Sequence, residues 1–148
     1  KLEPNQNVLI LSGDVPLLTS QTMLSMITDS PVSLLAADID NPTGYGRIVQ
    51  ENGKFTKIVE EKDATEEEKK IRSINAGVYC FRSELLTTYL PKINNDNAQN
   101  EYYLTDIFEI LNFMDVNMNV VLLPSSKVME MTGINTKEQL EELEQKLK

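Results

Sequence analysis

The sequence of 148 residues contains no histidine and a single cysteine, Cys80. These absences exclude Ser-His-Asp and Cys-His nucleophile pairs, HExxH zinc sites, cysteine-rich metal sites and disulfides within the chain. Cys80 lies in the apolar run 78–81, which predicts a buried, unreactive thiol. Phosphoryl or nucleotidyl transfer assisted by Mg²⁺ remains possible. Mg²⁺ takes oxygen ligands, and the reaction needs mainly positioning and charge neutralisation.

Long apolar stretches are also missing: none approaches the length of a membrane span, and no signal peptide opens the sequence. Basic residues are few, 14 against 23 acidic residues, for a formal net charge of −9. This balance opposes unspecific binding to nucleic acid or to an anionic membrane, so neither is expected as a partner. We expect a single globular unit in a reducing, cytoplasmic setting, in which a phosphate ligand meets a metal ion or a local cationic spot.

The residues present begin with a short apolar segment, 9–12, that stops at Gly13-Asp14 and is followed by Pro16. The segment predicts a strand buried on both faces, and Pro16 prevents the strand from continuing. Asp14 would then lie at the carboxyl end of a strand, the edge at which open α/β sheets bind their ligands. The alternative is a turn aspartate that hydrogen-bonds its own backbone.

The following elements predict an α/β fold. Thr19 can cap a helix, and 32–37 has the composition of another buried strand, so strand, helix and strand alternate. Two β-rich arms, 47–50 and 55–59, flank Asn52-Gly53, a strong signal for a type I′ hairpin. We therefore expect a mixed, mostly parallel sheet flanked by helices, with a small antiparallel β-rich subdomain.

The second half of the chain continues this pattern. Thr65 and Glu68 match a capping box, which predicts a short charged helix over 66–71. The further expected elements are a strand at 74–81, a helix capped by Ser83, an amphipathic helix through 104–111, short strands at 120–123 and 128–131, and a terminal helix capped by Thr136.

Six segments of the chain, taken in order, carry a resemblance to one enzyme family. They are 13–17, 40–48, 58–63, 74–77, 97–106 and 133–135. Together they closely resemble the uridylyltransferase half of the bacterial bifunctional N-acetylglucosamine-1-phosphate uridylyltransferase/glucosamine-1-phosphate acetyltransferases. The likeness runs nearly the whole length of the chain. The run Asn-Pro-Thr-Gly-Tyr-Gly-Arg at 41–47 and the run Glu-Tyr-Tyr-Leu-Thr-Asp at 101–106 favour this family over related enzymes that make dTDP-glucose.

The resemblance implies a Rossmann-like fold of the nucleotide-diphospho-sugar transferases and the transfer of UMP from UTP to N-acetylglucosamine 1-phosphate. The products are UDP-N-acetylglucosamine, which enters peptidoglycan and lipopolysaccharide synthesis, and pyrophosphate. The expected cofactor is Mg²⁺. The expected partners are the two small-molecule substrates, and the parent enzyme is expected to be a homotrimer held through an acetyltransferase domain that this chain lacks.

Matched position by position, the resemblance also implies site residues. The metal ligands of the family, which are its catalytic positions, match Asp14 and Asn135. Its contacts to the amino sugar match Gly46, Glu60, Asn75, Tyr103 and Thr105. This chemistry suits a polyol, because a carboxylate accepts hydroxyl protons, a carboxamide both donates and accepts, and a glycine lets its backbone approach the N-acetyl group.

Each of these residues also has a purely structural interpretation. Asn75 could satisfy a loop backbone, and Asn135 could lead into the cap of the terminal helix. Tyr103 and its neighbour Tyr102 are ordinarily packing aromatics. Glu60 could belong to a solvated acidic run, and Lys62 could contact a phosphate or pair with its neighbour Asp63 and is not assigned to the site.

We expect 1–135 to be the C-terminal two-thirds of a nucleotidyltransferase domain and 136–148 to be a terminal linker helix. The glycine-rich loop that holds the UTP phosphates in the family would precede Lys1, so the isolated chain is expected to be inactive. Asn100 stands where the family usually has glycine, and asparagine still suits a backbone with positive φ. The alternatives are a sugar-phosphate-binding or structural fragment without activity, and a nucleotidyltransferase for another sugar 1-phosphate, such as a hexose 1-phosphate with dTTP.

Overall fold

A computed structural model of the chain describes residues 2–134 and 136–146. Its six strands are β1 (Asn7–Ile10), β2 (Val32–Asp38), β3 (Arg47–Glu51), β4 (Lys54–Val59), β5 (Ser73–Arg82) and β6 (Met118–Leu122). Its α-helices are α1 (Ser20–Ser25), α2 (Ser83–Tyr89), α3 (Asp106–Phe113) and α4 (Lys137–Lys146), and its 3-10 helices are Glu68–Lys70, Leu90–Lys92 and Ser125–Met131. Within these ranges, no helix combines the length and the apolar character needed to cross a bilayer.

The long strand β5 organises the sheet. Along one edge it pairs with β2, and along the other edge it pairs first with β3 and then with β1. The strand order is β4-β3-β5-β2-β6, with β1 beside β5. The predicted mixed α/β sheet with flanking helices is therefore confirmed, and the β3–β4 hairpin forms the expected antiparallel part.

The share of parallel pairing differs from the expectation of a mostly parallel sheet. Among the described strands, β2 and β6 form the parallel pair, whereas the other pairs are antiparallel. The reason is the insertion of β5 between β1 and β2, two strands that run in the same direction on either side of it.

The core has two layers, one on each face of the sheet. On one face, α2 and α3 cover side chains of β2 and β5, with Phe108 and Phe81 fully buried. On the other face, Met26 and Leu35 pack with the 3-10 helix 125–131. Strand β2 therefore alternates its side chains between two apolar layers and is buried on both faces, as its composition predicts. Cys80 lies in the second layer as a buried free thiol, in agreement with the prediction.

Local signals in the sequence form the expected turns and caps. Asn52 and Gly53 have φ values of 52° and 76°, as a type I′ hairpin requires. The Thr19 side chain caps α1. Thr65 and Glu68 exchange the reciprocal bonds of a capping box, although the helix that follows is only the 3-10 turn Glu68–Lys70. The Arg82 position, rather than Ser83, caps α2, without a side-chain bond.

The strand predicted over 128–131 is wrong, because these residues belong to the 3-10 helix Ser125–Met131. The buried carboxylate of Glu130 in this helix accepts hydrogen bonds from Thr19 N, at 3.0 Å, and Thr19 Oγ1, at 2.9 Å. This tertiary contact favours the helical turn over an extended conformation. The division of the chain into a domain at 1–135 and a linker helix at 136–148 stays a prediction.

Candidate functional site

A polar cleft of about 400 Å³ opens at the carboxyl end of β1 and brings together four of the predicted site residues. They come from four separate segments: Asp14 follows β1, Gly46 precedes β3, Glu60 follows β4 and Asn75 lies in β5. The sheet explains the position of this cleft. β1 pairs with 79–82 of β5 and Arg47 of β3 pairs with Ile74, so 76–78 lie in the gap between these two strands.

Glu60 is held at the cleft by a hydrogen bond rather than lying in a solvated acidic run. The hydroxyl of Thr105, just before α3, donates to Glu60 Oε1 at 2.7 Å. A Cβ atom placed on Gly46 would come within 3.3 Å of the other oxygen, Glu60 Oε2. Thr105 therefore acts through Glu60 and leaves one carboxylate oxygen facing the glycine.

Gly46 is packed where a side chain would have little room. A Cβ atom added to Gly46 would lie 3.2 Å from Ile58 Cγ2 and 3.6 Å from Asn75 Cβ. The carbonyl of Gly46 accepts a hydrogen bond of 2.9 Å from Asn75 N. Glycine at this position allows the loop before β3 to lie directly against β4 and β5, and Gly46 lines the cleft although it is buried.

Asn75 makes two bonds through its side-chain amide. Oδ1 accepts from Gly77 N at 3.1 Å, and Nδ2 donates to the hydroxyl of Tyr79 at 2.7 Å. Asn75 thus does satisfy a local backbone group, as its structural interpretation proposed, but this uses only part of its side chain. A carboxamide has two donor hydrogens and two acceptor lone pairs, so one of each remains for a ligand.

Tyr79 is a residue of the site that the sequence did not predict. Its side chain is only 5% exposed, and its ring lies 5.1 Å from the ring of Phe108. Burial raises the pKa of its hydroxyl, the hydrogen bond from Asn75 lowers it by less, and the negative charge of Glu60 raises it, so the net shift is upward. The hydroxyl therefore stays protonated beneath Asn75 and Glu60. The sequence offered one signal for this residue: its hydroxyl is an isolated polar group within the apolar run 78–81.

Asp14 lies on the exposed rim of the cleft. Its backbone carbonyl accepts a hydrogen bond of 2.9 Å from Ile134 N, which joins the segment around Gly133 to the end of β1. Its carboxylate makes no hydrogen bond or ion pair with any described residue, so the self-bonded turn is not formed there. Asn135, the second predicted metal ligand, lies outside the described residues.

The chemistry of this rim fits Mg²⁺, which is bound through one or two carboxylates while it keeps several waters and takes substrate phosphates. Asp14 offers a carboxylate without a competing cation among the described residues. Clusters of three or more histidine, cysteine, aspartate or glutamate side chains are absent from 2–134 and 136–146. The described part of the chain thus offers Mg²⁺ one carboxylate ligand at this rim.

Tyr103 is not among the residues that line the cleft. Its hydroxyl accepts a hydrogen bond from Gln99 Nε2, and Gln99 Oε1 in turn accepts from Lys62 Nζ. Lys62 therefore contacts the loop before α3 rather than pairing with Asp63. Tyr102 is exposed. Asn100 in the same loop has a φ of 54°, the left-handed conformation that asparagine tolerates where the family usually has glycine.

A buried ion pair that the sequence did not predict lies beneath the loop at 41–46. The Arg47 side chain is 1% exposed, and its Nη2 lies 2.6 Å from Glu61 Oε2. Arg47 also donates to the carbonyls of Tyr45 and Lys69, and Glu61 Oε2 accepts from Gly44 N at 3.2 Å. Bonding to Arg47 lowers the pKa of the Glu61 carboxyl. The pair therefore fixes the loop that carries Gly46 to the turn that carries Glu60.

Comparison with curated proteins gives relatives that match nearly the whole chain, whereas no protein-family model matches it. The bifunctional protein GlmU of Herminiimonas arsenicoxydans is 45% identical over 147 residues, which are 97% of this chain and 32% of that protein. GlmU of Thermosipho melanesiensis is 44% identical over 152 residues, covering 99% of this chain and 32% of its own length. This chain is homologous to one segment of the GlmU proteins. It spans about a third of the length of these GlmU relatives.

A shorter relative and a solved structure extend this comparison. A protein of Acanthamoeba polyphaga mimivirus, named a probable UDP-N-acetylglucosamine pyrophosphorylase, is 42% identical over 149 residues, covering 95% of this chain and 58% of that protein. A crystal structure from Bacillus anthracis, provisionally named a glucose-1-phosphate thymidylyltransferase and solved with sucrose, superposes with a TM-score of 0.54. It is 18% identical and covers 93% of this chain and 59% of its own chain, and it supports the fold.

Proposed function

We propose that this chain forms the sugar-phosphate site, and part of the metal site, of an enzyme that transfers UMP from UTP to N-acetylglucosamine 1-phosphate. The products of that reaction are UDP-N-acetylglucosamine and pyrophosphate. The observation that carries the proposal is the convergence of Asp14, Gly46, Glu60 and Asn75 on one cleft from four separate segments. The names of the GlmU and pyrophosphorylase relatives support the choice of reaction.

The polar groups left over in the cleft suit an amino sugar. Glu60 Oε2 is not used by Thr105 and can accept a proton from a sugar hydroxyl. Asn75 retains one N–H and one lone pair after its bonds to Gly77 and Tyr79. Gly46 lines the cleft without a side chain of its own, which lets its backbone approach an N-acetyl group. Together these groups offer both donors and acceptors to a polyol and no cation to it.

At the other end of the cleft, Asp14 would hold Mg²⁺, with Asn135 as the second proposed ligand. Bound there, Mg²⁺ supplies neutralising charge for the phosphate groups of the substrates. The attack of the sugar phosphate on the α-phosphorus of UTP needs alignment and charge neutralisation more than a strong base. The role of the cleft residues is accordingly to bind the sugar and hold its phosphate toward Asp14.

The same proposal includes a cytoplasmic location and, for the longer protein, a homotrimer assembled through an acetyltransferase domain. Both rest on the resemblance of the six sequence segments to the bifunctional enzymes. Neither bears on the cleft, which is built from residues of one chain.

Titration of ¹⁵N-labelled chain with N-acetylglucosamine 1-phosphate, in the presence of Mg²⁺, tests the proposal directly. We expect saturable shifts at the backbone amides of Gly46, Asn75 and Gly77. Glu60→Gln should weaken binding, whereas Glu66→Gln, which changes an exposed carboxylate on the turn before the 3-10 helix 68–70, should leave it unchanged. Absence of binding, or an equal loss in both variants, would show that the sugar site is placed wrongly.

Two further arms define the ligand and the reaction. Glucose 1-phosphate lacks the N-acetyl group and should bind more weakly, and equal affinity for both sugars would overturn the assignment of an amino-sugar site. Pyrophosphate release after addition of UTP would distinguish a catalyst from a protein that only binds the sugar phosphate.

A further inference from the structure

Strand β5 contains a local distortion directly under the cleft. On the β2 side, Leu34 pairs with Tyr79 and Ala36 pairs with Asn75, so the single residue between them in β2, Leu35, opposes the three residues 76–78 of β5. Gly77, in the middle of this segment, has a φ of 69°. Residues four apart on a regular strand are about 13 Å apart. The distortion shortens this separation, and the Asn75 amide and the Tyr79 hydroxyl come within hydrogen-bond distance, at 2.7 Å.

We propose that Tyr79 is a positioning residue that fixes the orientation of the Asn75 amide and thereby sets the affinity of the cleft for its sugar ligand. The second half of this statement rests on the proposed function. Gly77 N requires an acceptor and so determines which end of the amide carries Oδ1. Tyr79 then holds the Nδ2 end, so that the remaining N–H and lone pair of Asn75 keep a fixed direction.

The burial of Tyr79 explains why its hydroxyl matters. The ring belongs to an aromatic cluster with Phe81 and Phe108, and the hydroxyl is the polar group that this cluster presents to Asn75. In Tyr79→Phe the ring would stay, but Nδ2 would face an apolar edge without a partner. Because burying an unpaired N–H is unfavourable, the amide would turn toward the water in the cleft and lose its fixed orientation.

The first test is made on the chain without ligand. We compare hydrogen exchange of the Asn75 side-chain amide by NMR in the native chain, in Tyr79→Phe and in the control Tyr89→Phe. Tyr89 is a half-buried tyrosine on α2 whose ring contacts Lys92, outside the cleft. Exchange should become about three- to tenfold faster in Tyr79→Phe, the loss expected for one hydrogen bond, and should not change in Tyr89→Phe.

The second test is the affinity for N-acetylglucosamine 1-phosphate in a double-mutant cycle. Tyr79→Phe should weaken binding about three- to tenfold in the native background and should have no further effect in the Asn75→Ala background, since Tyr79 acts through Asn75. Asn75→Ser replaces Asn75→Ala if the alanine variant does not fold.

The outcomes separate this inference from the proposed function. Unchanged exchange in Tyr79→Phe, or an equal loss of affinity in both backgrounds, overturns the positioning role and leaves Tyr79 as a packing residue. If the native chain does not bind the sugar phosphate at all, the proposed function fails together with the affinity half of the inference. The exchange measurement then still decides whether Tyr79 orients the amide.

Discussion

Removal of the Glu61 carboxylate should destabilise the chain much more than removal of a surface carboxylate a few residues away. Glu61→Ala leaves the guanidinium of Arg47, 1% exposed, with only two carbonyl acceptors, and Nε of Arg47 already has no partner among the described residues. Breaking a buried ion pair costs about 3–5 kcal/mol. The Glu61 side chain is 29% exposed and water can partly replace it, so we expect a loss of about 2–3 kcal/mol, below that range.

The matched control is Glu66→Ala. Glu66 also pairs with a cation, Lys69 at 2.9 Å, but its side chain is 86% exposed, and exposed pairs contribute little. Urea unfolding followed by circular dichroism measures both variants. With a slope of about 2 kcal/mol per molar urea, Glu61→Ala should lower the midpoint by roughly 1–1.5 M, and Glu66→Ala should shift it much less.

The pH dependence gives an independent check of the same reasoning. Arg47 lowers the pKa of Glu61 in the folded chain, so the pair stabilises the fold fully above the ordinary glutamate pKa of 4.5. That stabilisation is lost as the pH falls through the lowered value. The stability difference between the native chain and Glu61→Gln should accordingly be constant near neutral pH and shrink in acid. Equal midpoints for Glu61→Ala and Glu66→Ala, or a difference that grows in acid, would refute the reasoning.

Three further predictions concern single positions. Gly77→Ala should cost about 1–2 kcal/mol, because its φ is 69° and Ser12 Oγ, 2.4 Å from the added Cβ, must rotate away and lose its hydrogen bond to the Gly77 carbonyl. Gly53→Ala, with a φ of 76° and open space around its Cβ, should cost about 1 kcal/mol; urea unfolding compares the two variants, and a lower cost at Gly77 than at Gly53 would contradict a contribution from Ser12. Asp14→Asn should weaken Mg²⁺ binding at least about tenfold in calorimetric titration while the unfolding free energy changes by less than about 0.5 kcal/mol, and unchanged Mg²⁺ affinity would remove Asp14 from the metal site. Asn100→Ala should cost about 1 kcal/mol and Asn100→Gly almost nothing, since φ is 54°, and the reverse order of stability would disprove a strained backbone there.

Features that depend on neighbouring residues were predictable from the sequence. The Asn52-Gly53 turn needs positive φ at both positions and receives it, and the capping boxes at Thr65 and Thr136 form through bonds between residues three apart. These turns and caps are predictable because the side chains of a few adjacent residues favour the local backbone geometry that they require. Continuous apolar composition predicted β2 correctly as a strand buried on both faces. The same argument was wrong for the first strand, which was predicted over 9–12 as fully buried but is the half-buried β1 at Asn7–Ile10, with Leu11 44% exposed.

Features that depend on strand pairing were not predictable. Val128 to Met131 has strand-like composition, but Glu130 reaches a threonine more than a hundred residues earlier and forms a helical turn instead. Arg47 would ordinarily be assigned to the surface. Its burial follows from the position of β3 between β4 and β5, where Arg47 pairs with Val59 on one side and Ile74 on the other. No pattern within a few residues of Arg47 contains that information.

For the candidate site, the residues that line the cleft were predictable from the sequence segments. The neighbouring residues that hold them in position were not. Asp14, Gly46, Glu60 and Asn75 line one cleft, and Thr105 reaches it through Glu60. Tyr79, which bonds Asn75 across the distortion at Gly77, could not be recognised, because a regular strand would keep residues 75 and 79 apart. The metal role of Asp14 and Asn135 stays a prediction.

The pairing of β5 with three other strands also has a consequence for the order in which the chain is assembled. Asn7 pairs with Arg82, and Asp38 pairs with Ser73, so β1 and β2 acquire this neighbour only after residues 73–82 have left the ribosome. Until then β1 and β2 lack their common neighbour, and apolar strands with unpaired edges are prone to intermolecular association. Pairings so distant in sequence also predict slow refolding, and chaperone dependence during synthesis should end once β5 has emerged.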